Sequence, residues 1–449
     1  MQVTKLSDVG GVAVQGVDLS ESRTPDEDAE LMQLYDVHGL VVFKDQKLTK
    51  QQLVDAGAPF GGTMIDPPAT VRDPEVPGIV VISTRGTTGD VVPEEKEELV
   101  GDLEWHSDQW YVTQPNRGKI LYGIQVPEEG GKTGFIDNQL TYEALSDELK
   151  SRIEGLHVIQ SWDRGTSYLE RNRGYRIGGD KEMVAGKFKD VVFPLVYQHP
   201  KSEKKILNFD PLYSAGILEI PGPGGDAILQ QLRDHVLEEK FQYWHRYDVG
   251  DAVLWDNWRF IHASSGTPGK YARTLWSIVI DKGPAFGYEL SSDKKERAKA
   301  RRMALVNAKD SKETLACRIC RLYLDYVKSQ DVEGLWDLFP KGTHYNGPDG
   351  GLLDDPDTIA AGYARGFANM GKPWQFKMER VLPFDGEYGC LLEFGHRTNE
   401  PGADFTLSAV DHIEVNAEGH ITRFLPFFAS TEIPRVLENI NKHKTQEHA

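Results

Sequence analysis

Four side chains stand out for the chemistry they could do together. His106 and Asp108 sit two apart in Trp105-His106-Ser107-Asp108-Gln109-Trp110, after a polar loop. Far downstream, Trp255-Asp256-Asn257-Trp258-Arg259-Phe260-Ile261 leads into His262, and Arg273 follows eleven residues later. Two imidazoles and one carboxylate on one face of a divalent metal leave three positions open, the arrangement of non-haem Fe(II) oxygenases. An arginine nearby suits the same chemistry, because its planar fork holds a carboxylate through two parallel hydrogen bonds. The His-x-Asp/Glu triplet alone carries nothing. With 13 histidines and 69 acidic residues among 449, about two such triplets arise by chance, and the other one is His412-Ile413-Glu414. The order and context of the four residues carry the reading.

The elements around them are mostly short and β-branched. Val12–Val14, Gly39–Phe43, Ile79–Ser83, Ile120–Val126, Val191–Val196, Ala252–Trp255 and Thr274–Ile280 read as strands punctuated by Gly and Pro. Helices are expected at Pro25–Tyr35, opened by Thr24 as N-cap, and at Thr141–Ile153 and Ala227–Glu238. Many strands with few helices predict a mainly β fold, a sandwich or jelly roll with flanking helices, over residues 1–284. Six basic residues between Ser291 and Arg302 then suggest a solvated linker helix within 285–312. Residues 313–449 form a separate α+β domain. Apolar residues keep a helical spacing from Leu315 to Phe339, a helix is expected around Thr358–Met370, and strands at Phe376–Leu382, Gly389–His396, Phe405–Val415 and Ile421–Phe428.

Residues 1–284 resemble the taurine/2,4-dichlorophenoxyacetate group of Fe(II)/2-oxoglutarate-dependent dioxygenases. The resemblance rests on ordered blocks: Val14–Ser20 with His38–Gln46, Trp105–Asp108, Glu129–Asp137 with Tyr142–Ser146, His199–Asn208, and Trp255–His262 with Arg273. It implies a double-stranded β-helix, a jelly roll, that binds Fe(II), 2-oxoglutarate and O2. It also implies that His106, Asp108 and His262 ligate iron, while Arg273 and Thr133 hold 2-oxoglutarate. The expected outcome is oxidation of an unactivated C–H bond of a small organic substrate, with release of succinate and CO2. Hydroxylation is the default, and desaturation, cyclisation or oxidative cleavage use the same ligands. Where the taurine branch carries a second arginine four residues after the first, this chain has Ser277, which argues against a sulfonate substrate. Ser83, Arg85, Trp110, Tyr111, Phe209 and Tyr213 are candidates for the pocket wall, although each aromatic reads equally well as core packing.

Residues 313–449 resemble, through Tyr323–Phe339 and Gly419–Phe424, the cone-shaped NTF2/SnoaL-like domains. That resemblance implies a dimerising or lid domain. A ligand-binding or cyclase-like site using His396, Asp411 or His412, with a redox-silent first domain, is the alternative. Composition narrows the partners. With 51 basic against 69 acidic residues the net charge is −18, which disfavours nucleic acid, since phosphate neutralisation needs a basic face. No apolar run is long enough to span a bilayer. Cys317 and Cys320 form a C-x-x-C without a second pair, so buried, idle thiols are expected. A cytoplasmic homo-oligomer acting on a small molecule is the resulting expectation.

Overall fold

The structure is a computed structural model that describes residues 1–65, 72–84, 99–162, 188–308, 313–346, 351–370, 375–384, 386–397 and 406–428. The chain divides into two compact units, Met1–Gly216 with Ile228–Leu290, and Ile217–Ala227 with Ser291 onward.

Strands of the first part of the chain are Gln2–Ser7 (β1), Gly10–Gln15 (β2), Leu40–Phe43 (β3), Thr63–Met64 (β4), Val80–Ser83 (β5), Leu99–His106 (β6), Asn116–Gln125 (β7), Thr133–Asp137 (β8) and His157–Gln160 (β9). They continue with Val191–Pro194 (β10), Val196–Gln198 (β11), Lys205–Leu207 (β12), Ser214–Ile217 (β13), Gln242–His245 (β14), Ala252–Asp256 (β15), Phe260–Pro268 (β16), Thr274–Lys282 (β17) and Tyr288–Glu289 (β18). The larger sheet runs β1-β2-β3-β15-β7-β17-β4, with β5 also on β17, and a second sheet runs β14-β8-β16-β6.

The alternation of side chains along a strand gives the large sheet two apolar faces. Val41, Phe43, Ile120, Tyr122, Leu254, Ile278 and Ile280 pack with Leu31 and Tyr35 of the helix Pro25–His38. Leu40, Val42, Leu121, Val253 and Leu275 pack instead with Phe135 and Phe260 of the second sheet. β3 and β15 are therefore buried along their whole length, and Leu40–Phe43 and Ala252–Trp255 read as unbroken apolar runs, as strands covered on both faces do. The helix at Pro25 opens with a capping box between Thr24 and Glu27 and runs on to His38, three residues beyond the expected end. Gly39 closes it at φ +67, its N–H donating to the Tyr35 carbonyl. The expected helix at Thr141–Ile153 is two shorter ones, Asn138–Glu143 and Asp147–Ile153. The Ser146 hydroxyl accepts from the Leu149 N–H and starts the second afresh.

The second unit carries His344–Asn346 (β19), Leu352–Leu353 (β20), Gln375–Pro383 (β21), Gly389–Arg397 (β22), Thr406–Val415 (β23) and Ile421–Phe428 (β24), ordered β20-β19-β24-β23-β22-β21. The helical run expected from Leu315 to Phe339 is two helices, Leu315–Ser329 and Val332–Leu338. Gln330 turns left-handed at φ +56, and the Asp331 carboxylate caps the new helix at the Gly334 N–H. The basic segment is not a solvated linker. It is the helix Lys294–Asn307, whose Ala298 and Leu305 lie in the core of this unit and whose Arg302 pairs with buried Asp337 at 2.8 Å. Ala298, Arg302 and Leu305 fall on one helical face, so its basic residues divide between a buried face and an exposed one. Cys317, Cys320 and Cys390 are free and buried. Among the described residues no helix is long and apolar enough to cross a membrane.

Candidate metal centre

His106 ends β6 and His262 lies on β16, and these two strands pair with His262 directly opposite His106. Side chains at such positions stand on the same face, and the two imidazole centroids are 4.2 Å apart. The register slips just after His262, a bulge between it and Ser264, which re-aims the strand next to the site. Asp108 follows two residues beyond the end of β6. Its carboxylate oxygens lie 3.7 Å from His106 Nε2 and 3.6 Å from His262 Nε2. One donor atom from each of the three residues falls within 4.8 Å of the others.

The surroundings prepare the three donors for a cation. His106 Nδ1 lies 2.8 Å from the Glu104 carbonyl. That acceptor requires the N–H on Nδ1 and leaves the Nε2 lone pair for a ligand. Burial works to raise the Asp108 carboxyl, but Lys119 and the two histidines overcome it and hold it well below the usual carboxylate range. Burial, reinforced by His106, keeps His262 well below the ordinary imidazole value, so it is neutral. A neutral imidazole at His262 and an ionised carboxylate at Asp108 are forms in which such residues bind a metal.

The backbone between the ligands is held by two buried side chains. Asp210 accepts from the Ser107 N–H at 2.6 Å, and burial pushes its carboxyl up to about 6 against the pull of His106. Asn257 binds both the N–H and the carbonyl of Asp108. Arg259 forms a two-pronged pair with Asp137, at 2.9 and 2.6 Å, which ties the turn before His262 to the end of β8.

Arg273 is 7% exposed, its Nε has no hydrogen-bond partner, and among the described residues no carboxylate pairs with it. A buried guanidinium without a counter-anion suits an incoming carboxylate. Its Cζ lies 5.9 Å from the ring of Tyr247, whose hydroxyl is 3.1 Å from Thr133 Oγ1. Burial pushes the Tyr247 phenol up to about 12. Gly131, at φ +64, makes room for this arginine, since a Cβ there would stand 3.0 Å from Arg273 Cδ.

The pocket candidates separate. The Tyr213 ring is 6.4 Å from His106, Tyr111 packs against it at 5.0 Å, and Trp162 stacks on it at 5.7 Å. Phe188 extends that group outward. Ser83 Oγ faces Thr274 Oγ1 at 3.4 Å, beside Arg273. Trp110 and Phe209 are 2% and 1% exposed, and Trp110 packs into Phe193, Tyr197 and Phe286, so both read as core. Arg85 lies outside the described residues, as does the side chain of His396. Asp411 and His412 are consecutive on β23 and face opposite ways, Asp411 buried and His412 beside Glu414 at 3.5 Å. They form no joint site. Lys119 and Tyr247 had no signal in the sequence, because each meets a partner that no local motif points to, whereas Asn257 lies inside the Trp255–His262 block without a role being read for it.

The donor set fits Fe(II), and comparison with known proteins agrees. Residues 2–279 match the family described as Taurine catabolism dioxygenase TauD, TfdA family. An alpha-ketoglutarate-dependent 2,4-dichlorophenoxyacetate dioxygenase of Cupriavidus pinatubonensis is 29% identical over 255 residues, covering 56% of this chain and 86% of that protein. An (S)-phenoxypropionate/alpha-ketoglutarate-dioxygenase of Sphingobium herbicidovorans is 29% identical over 290 residues, 61% of this chain and 93% of that one. The crystal structure of AAD-2 in complex with Mn(II) and N-oxalylglycine superimposes with a TM-score of 0.53 at 25% identity, covering 64% of this chain and 100% of that one. The chain belongs to the TauD, TfdA family and is a 2-oxoglutarate-dependent dioxygenase working with Fe(II) and O2.

Proposed function

We propose that this enzyme oxidises an unactivated C–H bond of a small organic substrate held against the Tyr111–Tyr213 wall, releasing succinate and CO2. The carrying observation is the convergence of His106, Asp108 and His262 in a fold that also buries Arg273, which pairs with no carboxylate among the described residues. When bound, Fe(II) with 2-oxoglutarate and O2 supplies the oxidising power.

This chain's own residues do the rest. His106 Nε2, His262 and Asp108 would hold the cation. Arg273 takes the far carboxylate of 2-oxoglutarate in its fork, and the Thr133 hydroxyl, oriented by Tyr247, adds a hydrogen bond. Trp255, 4.8 Å from the His262 ring and 5.5 Å from Phe135, closes the inner side to water. The relatives named for phenoxy acids fit a substrate with an apolar, ring-like face, which the stacked Tyr213 and Trp162 would accept. The first unit is read as a double-stranded β-helix on the strength of its two facing sheets. The second is read as an NTF2/SnoaL-like cone, on its six-stranded sheet wrapped on helices.

An anaerobic titration with Fe(II) and then 2-oxoglutarate tests the proposal through the visible charge-transfer band of the chelate. Substrate-stimulated succinate formation across a metabolite pool then searches for the substrate. Absence of both the band and succinate would refute it.

A further inference from the structure

Lys119 sits in a position where a cation needs a reason. It lies on β7 between the apolar pair Ile120 and Leu121 and the glycine at 118. Ile120 and Tyr122 pack under the outer helices, while Leu121 belongs to the cluster between the two sheets. By the alternation of a strand, Lys119 shares the inward face with Leu121. Its side chain is 20% exposed, and its Nζ stands 2.9 Å from Asp108 Oδ2. Oδ2 also lies 3.6 Å from His262 Nε2, while Oδ1, which faces His106 Nε2 at 3.7 Å, is not the oxygen that Lys119 bonds. The Asp108 backbone is already fixed on both sides by Asn257, so the remaining freedom of this ligand is rotation of its carboxylate.

We propose that Lys119 is a positioning residue that restricts Asp108 to a single coordinating oxygen. Its ammonium occupies Oδ2 and leaves Oδ1 for the cation. Two nitrogens and one oxygen would then supply three ligand atoms and leave the remaining positions for 2-oxoglutarate and a further small ligand. Without Lys119 the carboxylate is free to turn and offer both oxygens, which takes a fourth position and competes with the chelate. The inference rests on the triad reading above. It predicts opposite movements in two affinities. Removing a cation beside a cation, and freeing a second oxygen, leaves the metal bound at least as tightly. The same change weakens the co-substrate.

The test compares the full-length wild type, Lys119→Met and Lys119→Arg under anaerobic conditions. Fe(II) affinity is read by competition with a chromophoric chelator, and 2-oxoglutarate affinity and band position from the charge-transfer absorbance. Lys119→Met is expected to bind Fe(II) no more weakly than wild type, to need about tenfold more 2-oxoglutarate or beyond, and to shift the band. Lys119→Arg, which keeps a charged donor, is expected to return towards wild type. Should Lys119→Met not fold, Lys119→Gln carries the same comparison. A neutral variant with wild-type 2-oxoglutarate affinity and an unmoved band overturns the proposal. So does one that loses Fe(II), because Lys119 would then serve metal binding itself. If wild type itself binds neither Fe(II) nor 2-oxoglutarate, the proposed function fails instead.

Discussion

Asn257 holds Asp108 from both sides of its peptide: its Oδ1 accepts from the Asp108 N–H at 2.8 Å and its Nδ2 donates to the Asp108 carbonyl at 2.8 Å. Asn257 lies in the turn between β15 and β16 and also donates to the Asn116 carbonyl at 3.1 Å. It thus ties the loop carrying one ligand to the strand carrying His262. Asn257→Ala would leave buried backbone groups unpaired, at about 1–3 kcal/mol each. The expected result is a lower unfolding midpoint together with at least about tenfold weaker Fe(II) binding. Wild-type Fe(II) affinity in a folded Asn257→Ala protein would show that Asp108 does not need this support.

Asp108 is the one carboxylate of the proposed triad. Asp108→Ala leaves two neutral imidazoles for a divalent cation, so Fe(II) affinity and succinate formation should both fall by orders of magnitude. In wild type, chelator treatment should silence turnover. Fe(II) should restore it and Zn(II) should not, because zinc has no redox chemistry. An Asp108→Ala protein with full succinate formation would refute the triad.

Arg273 is predicted to govern co-substrate affinity rather than metal affinity. Truncating one member of a buried charge pair costs about 2–5 kcal/mol, so Arg273→Ala should weaken 2-oxoglutarate binding by orders of magnitude at unchanged Fe(II) affinity. Arg273→Lys keeps the charge, loses the fork and should fall between the two. Equal 2-oxoglutarate affinities for wild type and Arg273→Ala would mean that another group holds the carboxylate.

What could be read in advance follows from how local each feature is. His106 and Asp108 announce themselves by a two-residue spacing, and His262 and Arg273 by their place in an ordered series of blocks. The near-continuous apolar runs of β3 and β15 likewise show in the chain because burial on two faces shapes their composition directly. Lys119 and Tyr247 stayed hidden. Lys119 is eleven residues from Asp108 and Tyr247 is 114 from Thr133, and in each case the partner lies on a different strand or loop, so the contact comes from tertiary pairing and not from a local pattern. The split at Gln330 was hidden for another reason, since one left-handed residue interrupts a helix without disturbing its apolar spacing. The linker expectation failed because counting charges over Ser291–Arg302 ignores which helical face each one occupies. Only packing showed that Arg302 is buried against Asp337.

The last prediction concerns Asp411, buried on β23 with its Oδ1 lacking a hydrogen-bond partner among the described residues. The hydroxyls of Tyr323 and Tyr345, whose electrostatics involve Asp411, both bond to Tyr363, at 2.8 and 3.2 Å. Burial pushes the Asp411 carboxyl well above the ordinary carboxylate range. The folded chain therefore keeps a proton that the unfolded chain releases near ~3.9. As pH rises above that value the unfolded chain binds fewer protons than the folded one, so stability declines until the raised pKa is passed and then levels off. The sign is opposite to that of a salt-bridged aspartate. Asp411→Asn removes the ionisation at nearly constant shape. Unfolding midpoints of the full chain, measured from about pH 4 to 8, should run together for wild type and Asp411→Asn at the acid end. They should diverge in favour of the variant as pH rises. Parallel curves across the whole range would mean that Asp411 is ionised in the folded protein and has found a partner for its charge.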